Sequence, residues 1–354
     1  MVKIGFPWIL AGLLSLSACS TTTLESNPKA PITPQEATNP DVQTTTPDSI
    51  STPNDKDQIM NTPQEKKSIV YMTTEISPQA MVKIYNAMGV QLNGNVAVKL
   101  STGEAGNNHY LKPELIKDLV DKVHGTIVES NTAYGGSRGT TEKHRQTIAL
   151  HGFDKIANVD ILDEDGSLAI PVTNGKHLKE NLVGAHLENY DSILVLSHFK
   201  GHAMGGFGGA LKNISIGIAS SEGKSLIHSA GKQHTGFSPE TPQNDFLESM
   251  AEASQSVIAY KGPENMVYIN VMNNISVDCD CDGNPAAPDM HDIGILASTD
   301  PVALDKACVD LIYHAKDGAS VVKRMERQNG PYILDHAVTM GIGSKDYTLK
   351  SIDL

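Results

Sequence analysis

The sequence predicts an α/β fold in which a mixed, largely parallel sheet is flanked by helices. Short, continuous apolar runs recur along residues 69–354, and amphipathic stretches with helical spacing separate them. Strands that are apolar on both faces are typical of parallel sheet covered by helices on each side. No Pro/Ser-rich linker interrupts the chain after residue 69. We therefore expect residues 69–354 to form one α/β body, either single or built of two closely packed lobes.

The first half of this body contains three predicted strands and three predicted helices. The strands are predicted by apolar runs at residues 69–72, 96–100 and 126–129. Ser77 followed by Pro78 predicts the start of a helix, because a Ser side chain accepts hydrogen bonds from the first turn and Pro fits its first position. Pro113 predicts the start of a second helix, and residues 140–151 form a third.

The second half repeats the alternation of strands and helices. Its strands are predicted by apolar runs at residues 192–197, 266–271 and 293–296. Residues 244–260 carry apolar side chains at helical spacing. Asp300 followed by Pro301 predicts the start of a last helix, which extends to about residue 312. The elements together predict a sheet whose strands are joined by helices.

Composition narrows the class of protein. The chain has 354 residues, of which 39% are hydrophobic and 19% charged, as in soluble globular proteins. Lys and Arg number 28 against 41 acidic residues, so the net charge is −13. An acidic chain repels phosphate backbones, and we therefore expect no nucleic-acid partner. The four cysteines are too few for a disulfide scaffold.

Residues 1–19 have the pattern of a lipoprotein signal peptide. Lys3 supplies a positive start, and residues 9–16 supply an apolar segment too short to span a bilayer. The sequence Leu-Ser-Ala-Cys that ends at Cys19 resembles the lipobox of bacterial lipoproteins. We therefore expect lipidation at Cys19, attachment to a membrane through that lipid, and an extracytoplasmic location in the bacterial cell envelope.

Residues 20–68 are predicted to form a disordered, Thr/Pro-rich tether. They contain seven of the 18 prolines and no aromatic residue. Such a segment buries too little apolar surface to offset the entropy lost on ordering. We expect it to act as a spacer between the membrane and the folded body.

Polar, Gly-rich segments follow three of the predicted strands. In open α/β sheets, ligands bind beyond the carboxyl ends of the strands. The segment after the strand at 126–129 offers Glu129, Asn131 and Thr132 as ligand-binding residues. Since several such segments meet at one sheet edge, they predict a shared cleft.

The segment at 197–213 is the richest of these. Its four closely spaced glycines expose backbone N–H groups to an anion, and its lysines add positive charge. The spacing of the glycines matches neither a P-loop nor a dinucleotide fingerprint. His198 and His202 are candidates for acid–base catalysis. The candidate ligand-binding residues are Lys200, Lys212 and Asn213. The sequence thus predicts a site for a small anionic molecule.

A second cluster lies at 278–292, where two thiols, one imidazole and several carboxylates are close in sequence. Thiolate and imidazole suit zinc or iron, so Cys279, Cys281 and His291 are candidate metal ligands. Two further interpretations stay open. One is a disulfide from Cys279 or Cys281 to Cys308, and the other is an inert loop. A metal ion is thus one candidate cofactor.

Several of these segments resemble a family of bacterial and archaeal proteins, the domain of unknown function 362 family. The similar segments are 131–136 (NTAYGG), 197–213, 278–281 (DCDC) and 292–305. The resemblance covers nearly all of residues 69–354 and implies no settled activity. Many members carry an added ferredoxin-type module, and this chain lacks its CxxCxxC spacing. No ferredoxin-type cluster is therefore expected.

Two functional hypotheses follow. In the first, the protein is a membrane-tethered enzyme or redox accessory that acts on a small anionic ligand, with or without a bound metal. In the second, it is a non-catalytic lipoprotein that captures a ligand or a partner protein at the envelope. A metal with an open coordination position favours catalysis, whereas an empty cleft that closes on its ligand favours binding.

Overall fold

An eight-stranded sheet forms the centre of the computed structural model, which describes residues 67–353. The predicted signal peptide, Cys19 and all but the last two residues of the predicted tether lie outside the described residues. Within residues 67–353, no helix has the combined length and apolarity needed to cross a bilayer. The described residues belong to one compact unit.

The described chain contains twelve strands. In chain order they are Ser68–Thr73 (β1), Val96–Lys99 (β2), Thr126–Glu129 (β3), Val159–Ile161 (β4), Ser167–Pro171 (β5), Glu180–Gly184 (β6), Ser192–His198 (β7), Lys200–His202 (β8), Gly206–Gly208 (β9), Met266–Met272 (β10), Gly294–Ser298 (β11) and Tyr347–Ser351 (β12). Eight of them form the central sheet in the order β12-β1-β11-β10-β7-β2-β3-β4. Only β11 runs antiparallel to its neighbours there, so the prediction of a mixed, largely parallel sheet is confirmed.

Nine α-helices accompany these strands within the described residues. They are Pro78–Ala87 (α1), Pro113–Lys122 (α2), Thr141–His151 (α3), Ala210–Ser215 (α4), Ser221–His228 (α5), Gln243–Lys261 (α6), Pro301–His314 (α7), Ala319–Arg327 (α8) and Tyr332–Thr339 (α9). The predicted starts are visible in the hydrogen bonds. The side chain of Ser77 accepts from the N–H of Ala80, and that of Asp300 accepts from Val302 and Ala303.

The apolar strands separate two hydrophobic cores. Along β7, Ile193 and Val195 belong to one core, whereas Leu194 and Leu196 belong to the other. Side chains of a strand point alternately to opposite faces, so a run that is apolar throughout buries both faces. Helices α1 and α2 cover one face, and α4, α6 and α7 cover the other.

The structure differs from the sequence prediction in the segment after β7. This segment was expected to be a Gly-rich loop, but it forms the short hairpin β8–β9 followed directly by α4. Gly201, in β8, donates its N–H to the carbonyl of Ser276. A Cβ atom at Gly201 would lie 2.5 Å from the carbonyl oxygen of Val277. Glycine therefore lets the hairpin pack directly on the segment that precedes Cys279.

The carboxyl ends of four neighbouring parallel strands meet at one edge of the sheet. These strands are β3, β2, β7 and β10. Lys99, Glu129 and His198 are the last residues of β2, β3 and β7. The long segment between β10 and β11, residues 273–293, contains Cys279 and Cys281 and leaves the same edge. Residues from all three predicted polar clusters are therefore close together in space.

Candidate functional site

A pocket of about 260 Å³ lies at this edge of the sheet. Its wall is formed by the ends of β2, β3 and β7, the β8–β9 hairpin, α4, α5 and the cysteine-containing segment. Such a position, beyond the carboxyl ends of parallel strands, is the usual ligand site of open α/β sheets. Phe237, Met204 and Ile216 add apolar surface to the wall. The pocket therefore combines an apolar surface with convergent polar groups.

The charged groups in the pocket wall are predominantly positive. Five cations face two carboxylates: Lys99, Lys200, Lys212, Lys224 and Arg138 against Glu129 and Asp280. This excess contrasts with the net charge of −13 of the whole chain. Burying like charges together is unfavourable unless a ligand or a counter-ion compensates them. The wall is thus suited to an anion.

Both carboxylates of the wall are already paired within the protein. Glu129 accepts from Arg138 Nη1 and lies 3.0 Å from His144 Nε2. Burial opposes its charge, but Arg138 and His144 hold the pKa of Glu129 well below its ordinary value. Asp280 lies 2.6 Å from Lys200 Nζ. Of the five cations, Arg138 and Lys200 are neutralised in this way.

The three remaining lysines have no carboxylate partner among residues 67–353. Lys99 Nζ donates to the carbonyl of Leu100 and to Asn213 Oδ1, at 2.6 and 3.0 Å. Lys224 Nζ donates to the carbonyl of Ala219. Within the same described residues, no acceptor lies within hydrogen-bonding distance of Lys212 Nζ, although this side chain lines the pocket. Lys212 is therefore the cation best placed to bind a ligand.

Burial makes these three ammonium groups easier to deprotonate. It lowers the pKa of Lys99 to about 7, against the opposing effect of Glu129. Burial also lowers the pKa of Lys212 to about 8, and Arg138 adds to the effect. Burial lowers the pKa of Lys224 to about 8 as well. Shifted pKa values of several groups in one pocket are typical of functional sites.

The two predicted catalytic histidines line the pocket but differ in their contacts. His198 places Nδ1 3.2 Å from Asp280 Oδ2 and Nε2 2.6 Å from the carbonyl of Asn273, so both ring nitrogens already face acceptors. His202 accepts hydrogen bonds at Nδ1 from the N–H groups of Met204 and Gly205, at 3.2 and 2.8 Å. Burial holds the pKa of His202 well below its ordinary value, so its ring is neutral.

The structure joins Cys279 and Cys281 in a disulfide, and both residues line the pocket. The sequence interpretation in which either cysteine pairs with Cys308 is therefore wrong. Cys308 is a free, buried thiol on α7, 3.4 Å from Asn270 Nδ2, and it belongs to a hydrophobic core. Burial raises its pKa well above the ordinary value, as expected for an inert structural thiol.

His291 is not brought to the two sulfurs. Its ring is exposed and lies 2.8 Å from Asp317 Oδ1. The group whose potential ligand atoms lie within 4.8 Å of one another consists instead of His202, Cys279 and Cys281. Sequence spacing could not indicate this, because His202 comes from the hairpin and reaches the sulfurs only through tertiary packing.

A ferredoxin-type cluster does not fit these residues. Four thiolates are its usual ligands, and the pocket offers only Cys279 and Cys281. A second group of potential metal ligands among residues 67–353, His177, Asp245 and Glu248, lies outside the pocket. Glu248 there already accepts from Lys176 and Tyr332, so that group is an internal polar network.

The predicted ligand-binding residues separate into two groups. Five of them line the pocket, namely Lys200, Lys212, Asn213, Glu129 and Thr132. Asn213 has a positioning role there: Nδ2 donates to Lys99 O, at 3.1 Å, and to Ser197 Oγ, at 3.0 Å. Asn131 is not part of the wall. Its N–H donates to Asp163 and its side chain to Thr141, so it holds the segment after β3 in place.

Sequence reasoning missed three cations of the wall, Lys99, Arg138 and Lys224. Lys99 could have been identified from the sequence, because it is a charged residue inside the otherwise apolar run at 96–100. Arg138 lies in the segment after β3, and its pairing with Glu129 depends on the folded loop. Lys224 belongs to α5, whose position beside the pocket was not predicted from the sequence.

The fold and the pocket define an α/β protein with a cationic pocket at the carboxyl edge of a largely parallel sheet. The chain belongs to the family described as Domain of unknown function (DUF362), whose sequence profile matches residues 96–310. This confirms the resemblance seen in the sequence. No curated protein matches the chain.

The solved structures similar to the chain include the following two. One is the lactate racemase apoprotein from Thermoanaerobacterium thermosaccharolyticum, with 13% identity and a TM-score of 0.35; the match covers 58% of this chain and 50% of that one. The other is a protein from Thermotoga maritima, with 13% identity and a TM-score of 0.38, over 66% of this chain and 57% of that one. The chain thus spans half the length of the first structure and 57% of the length of the second.

Proposed function

We propose that the protein binds a small anionic molecule in the cationic pocket and acts on it as an enzyme or redox accessory. The observation that carries this proposal is the set of three lysines without a carboxylate partner among residues 67–353, of which Lys212 also lacks an acceptor. An anion placed among their ammonium groups would compensate charges that the protein leaves unpaired. The pocket volume limits the ligand to the size of a small metabolite.

Among the residues of this pocket, Lys99 is the best suited to transfer a proton. A proton carrier works best when its pKa lies near the operating pH, and Lys99 has a pKa of about 7. His198 has both ring nitrogens in contact with acceptors, so it positions Asp280 and the cysteine-containing segment. His202, the other candidate catalytic histidine, lies beside the sulfur of Cys281, and we assign its role to that sulfur.

A cellular location at the envelope is part of the same proposal. The signal-like residues 1–19 and the Leu-Ser-Ala-Cys sequence support lipidation at Cys19 and tethering outside the cytoplasm. Cells grown with labelled palmitate should incorporate the label into the wild-type protein and not into Cys19→Ala. Labelling that persists in Cys19→Ala would contradict this part of the proposal.

Calorimetric titration with inorganic phosphate and with citrate tests the binding proposal. Lys212→Met keeps the length of the side chain and removes its charge, so we expect it to weaken binding of both anions at least tenfold, as for one charge-assisted hydrogen bond. Lys117→Met is the matched control, because Lys117 is exposed on α2 and pairs with Asp121. Failure of both anions to bind, or equal affinity in Lys212→Met, would overturn the proposal.

A further inference from the structure

The disulfide between Cys279 and Cys281 lies beside His202. His202 Nε2 lies 3.8 Å from Cys281 Sγ, within the range of a weak hydrogen bond to sulfur. Both cysteines line the cationic pocket, so a molecule bound there lies next to the disulfide. Anion binding by the pocket cations gives no role to this disulfide.

The hairpin turn fixes which nitrogen of His202 carries the proton. The N–H groups of Met204 and Gly205 both point at Nδ1, and an N–H group can donate only to an unprotonated nitrogen. With Nδ1 unprotonated, the proton of the imidazole ring resides on Nε2. His202 therefore presents an N–H donor to the sulfur of Cys281.

This tautomer of His202 also bears on whether the two cysteines and His202 bind a metal ion or whether the cysteines form a disulfide. A neutral histidine binds a metal through an unprotonated nitrogen, and in His202 that nitrogen is occupied by two backbone donors. Metal binding through Nε2 would require the proton to move to Nδ1 and both N–H contacts to break. The hairpin thus favours His202 as a proton donor to sulfur over His202 as a metal ligand.

Two of the three carboxylates between and beside the cysteines are paired with cations. Asp280 is neutralised by Lys200, at 2.6 Å, and Asp278 by Arg324, at 3.2 Å. The third, Asp282, is exposed to solvent and accepts from the N–H of Asn284. The sequence alone indicates poor nucleophiles here, because unpaired carboxylates destabilise a nearby thiolate. The two ion pairs of the folded protein weaken that effect for Asp278 and Asp280.

We infer that Cys279 and Cys281 form a redox-active disulfide that exchanges with a small thiol carrying an anionic group, with His202 as the hydrogen-bond donor to Cys281. The inference rests on the proposed function for the part that concerns the anionic group. The pocket cations bind that group, and they hold the thiol of the same molecule near the disulfide.

The exchange proceeds in two balanced steps. The thiolate of the first molecule attacks Cys279 Sγ, the bond between the two cysteines breaks, and its electron pair goes to Cys281 Sγ as a thiolate stabilised by the Nε2–H of His202. The thiolate of a second molecule then attacks the substrate sulfur of this mixed disulfide, the bond from that sulfur to Cys279 Sγ breaks, and its electron pair goes to Cys279 Sγ as a thiolate while the substrate disulfide is released. Two thiols are oxidised, and the cysteine pair is reduced by two electrons. Cys279 is the attacked sulfur because only the departure of Cys281 is assisted by His202.

The first experiment determines the state of the thiols in purified full-length protein. Alkylation followed by peptide mass mapping should leave Cys279 and Cys281 unlabelled without reductant and should label both after treatment with 3-mercaptopropionate. Cys308 serves as the internal control, because it is buried and should stay unlabelled in the native protein. Labelling of both cysteines without reductant, or release of a stoichiometric metal by a chelator, would overturn the inference.

The second experiment compares reduction rates for 3-mercaptopropionate and neutral 2-mercaptoethanol, each expressed per thiolate. We expect His202→Leu to slow both reactions about tenfold, as for the loss of one hydrogen bond to a charged group. His202→Gln retains an N–H donor and should recover most of the rate, while His186→Leu, on a half-buried histidine outside the pocket, should match the wild type.

The two proposals fail in different ways in this experiment. If Lys212→Met does not reduce the preference for 3-mercaptopropionate, the proposal of an anion-binding pocket is overturned. The proposal that Cys279 and Cys281 are redox-active is then unaffected. If neither thiol reduces the disulfide, or if His202→Leu and His202→Gln both react at the wild-type rate, the redox inference is overturned while phosphate binding is unaffected. Thermal unfolding of each variant separates a local effect from a failure to fold.

Discussion

The three unpaired lysines show how single residues of this protein acquire their chemistry from tertiary contacts. Lys212 was predictable as a ligand-binding residue, because it follows a strand in a segment rich in glycine. Lys99 was not predicted, although it is nearly as buried as the apolar residues beside it. Its ammonium is held by Asn213, which is more than a hundred residues away in the chain. Local sequence patterns carry no information about such a partner.

The pKa values of these lysines predict how anion binding depends on pH. Each lysine binds an anion in its protonated form, and the pKa values are about 7 for Lys99 and about 8 for Lys212 and Lys224. Sulfate is the suitable probe, because its charge is constant in this range. We expect its affinity to be highest below pH 7 and to fall at least tenfold as the pH rises from 7 to about 9.

Calorimetry across this pH range provides the measurement. Sulfate binding should also be accompanied by proton uptake near pH 8, because the anion raises the pKa of each lysine. In Lys212→Met the fall in affinity with pH should become shallower. A sulfate affinity that stays constant between pH 6.5 and 9 would exclude these lysines as the binding groups.

At the level of elements, the sequence predicted the strands and helices whose signals are local. The apolar runs form β2, β3, β7, β10 and β11. The Ser-Pro and Asp-Pro pairs lie at the starts of α1 and α7. The β8–β9 hairpin was not predicted, because its residues are mostly Gly, Lys and His and it is stabilised by backbone pairing and by contact with the cysteine-containing segment. Long-range contacts of this kind leave no periodic pattern.

Asp305 on α7 links two of these elements and provides a test of how they are held together. Its carboxylate accepts from the N–H groups of Ala210 and Leu211, at 2.8 and 2.9 Å, and from Asn270 Nδ2, at 2.8 Å. A Cβ atom at Gly209 would lie 2.3 Å from Asp305 Oδ1, so glycine is needed for this approach. The carboxylate therefore fixes the start of α4, the helix that carries Lys212.

We expect Asp305→Ala to lower the free energy of unfolding by about 3 kcal/mol, because three buried donors lose their acceptor. It should also weaken sulfate binding, since α4 positions Lys212. Denaturant unfolding gives the first quantity and calorimetry the second. Asp121→Ala is the control, because that residue is exposed and its solvent-screened pair with Lys117 contributes little to stability. Equal stabilities of Asp305→Ala and the control would contradict this role.

At the level of the whole molecule, an acidic chain encloses a cationic pocket. The net charge of −13 argues against nucleic-acid partners, but an average over the chain does not reveal the local excess of positive charge. The fold concentrates that charge because five cations from separate parts of the chain converge at one sheet edge. The fold class could be predicted from the sequence, whereas this electrostatic property exists only in the folded molecule.

This distribution of charge predicts that the ligand-free protein is less stable than it could be. Lys212 is partly buried, has no acceptor among residues 67–353, and has a pKa lowered by burial, so folding keeps its charge in an unfavourable environment. Lys212→Met should therefore raise the free energy of unfolding of the ligand-free protein, by about 1 kcal/mol. Sulfate at one hundred times the wild-type Kd should stabilise the wild type by about 2.7 kcal/mol and the same variant, if it binds tenfold more weakly, by no more than about 1.4 kcal/mol.

The pH dependence of this gain follows from the direction of the pKa shift. Below pH 8, Lys212 is protonated in both the folded and the unfolded state, and the folded state bears the full cost of the buried charge. Between pH 8 and the ordinary lysine pKa of 10.5, the folded state loses its proton first, so that cost decreases. The stabilisation by Lys212→Met should thus be greatest below pH 8 and shrink toward pH 10.5. Denaturant unfolding at pH 7 and pH 9.5 measures both points. A lower free energy of unfolding for Lys212→Met than for the wild type at pH 7 would show that Lys212 stabilises the fold, which would contradict its role as a cation left unpaired for a ligand.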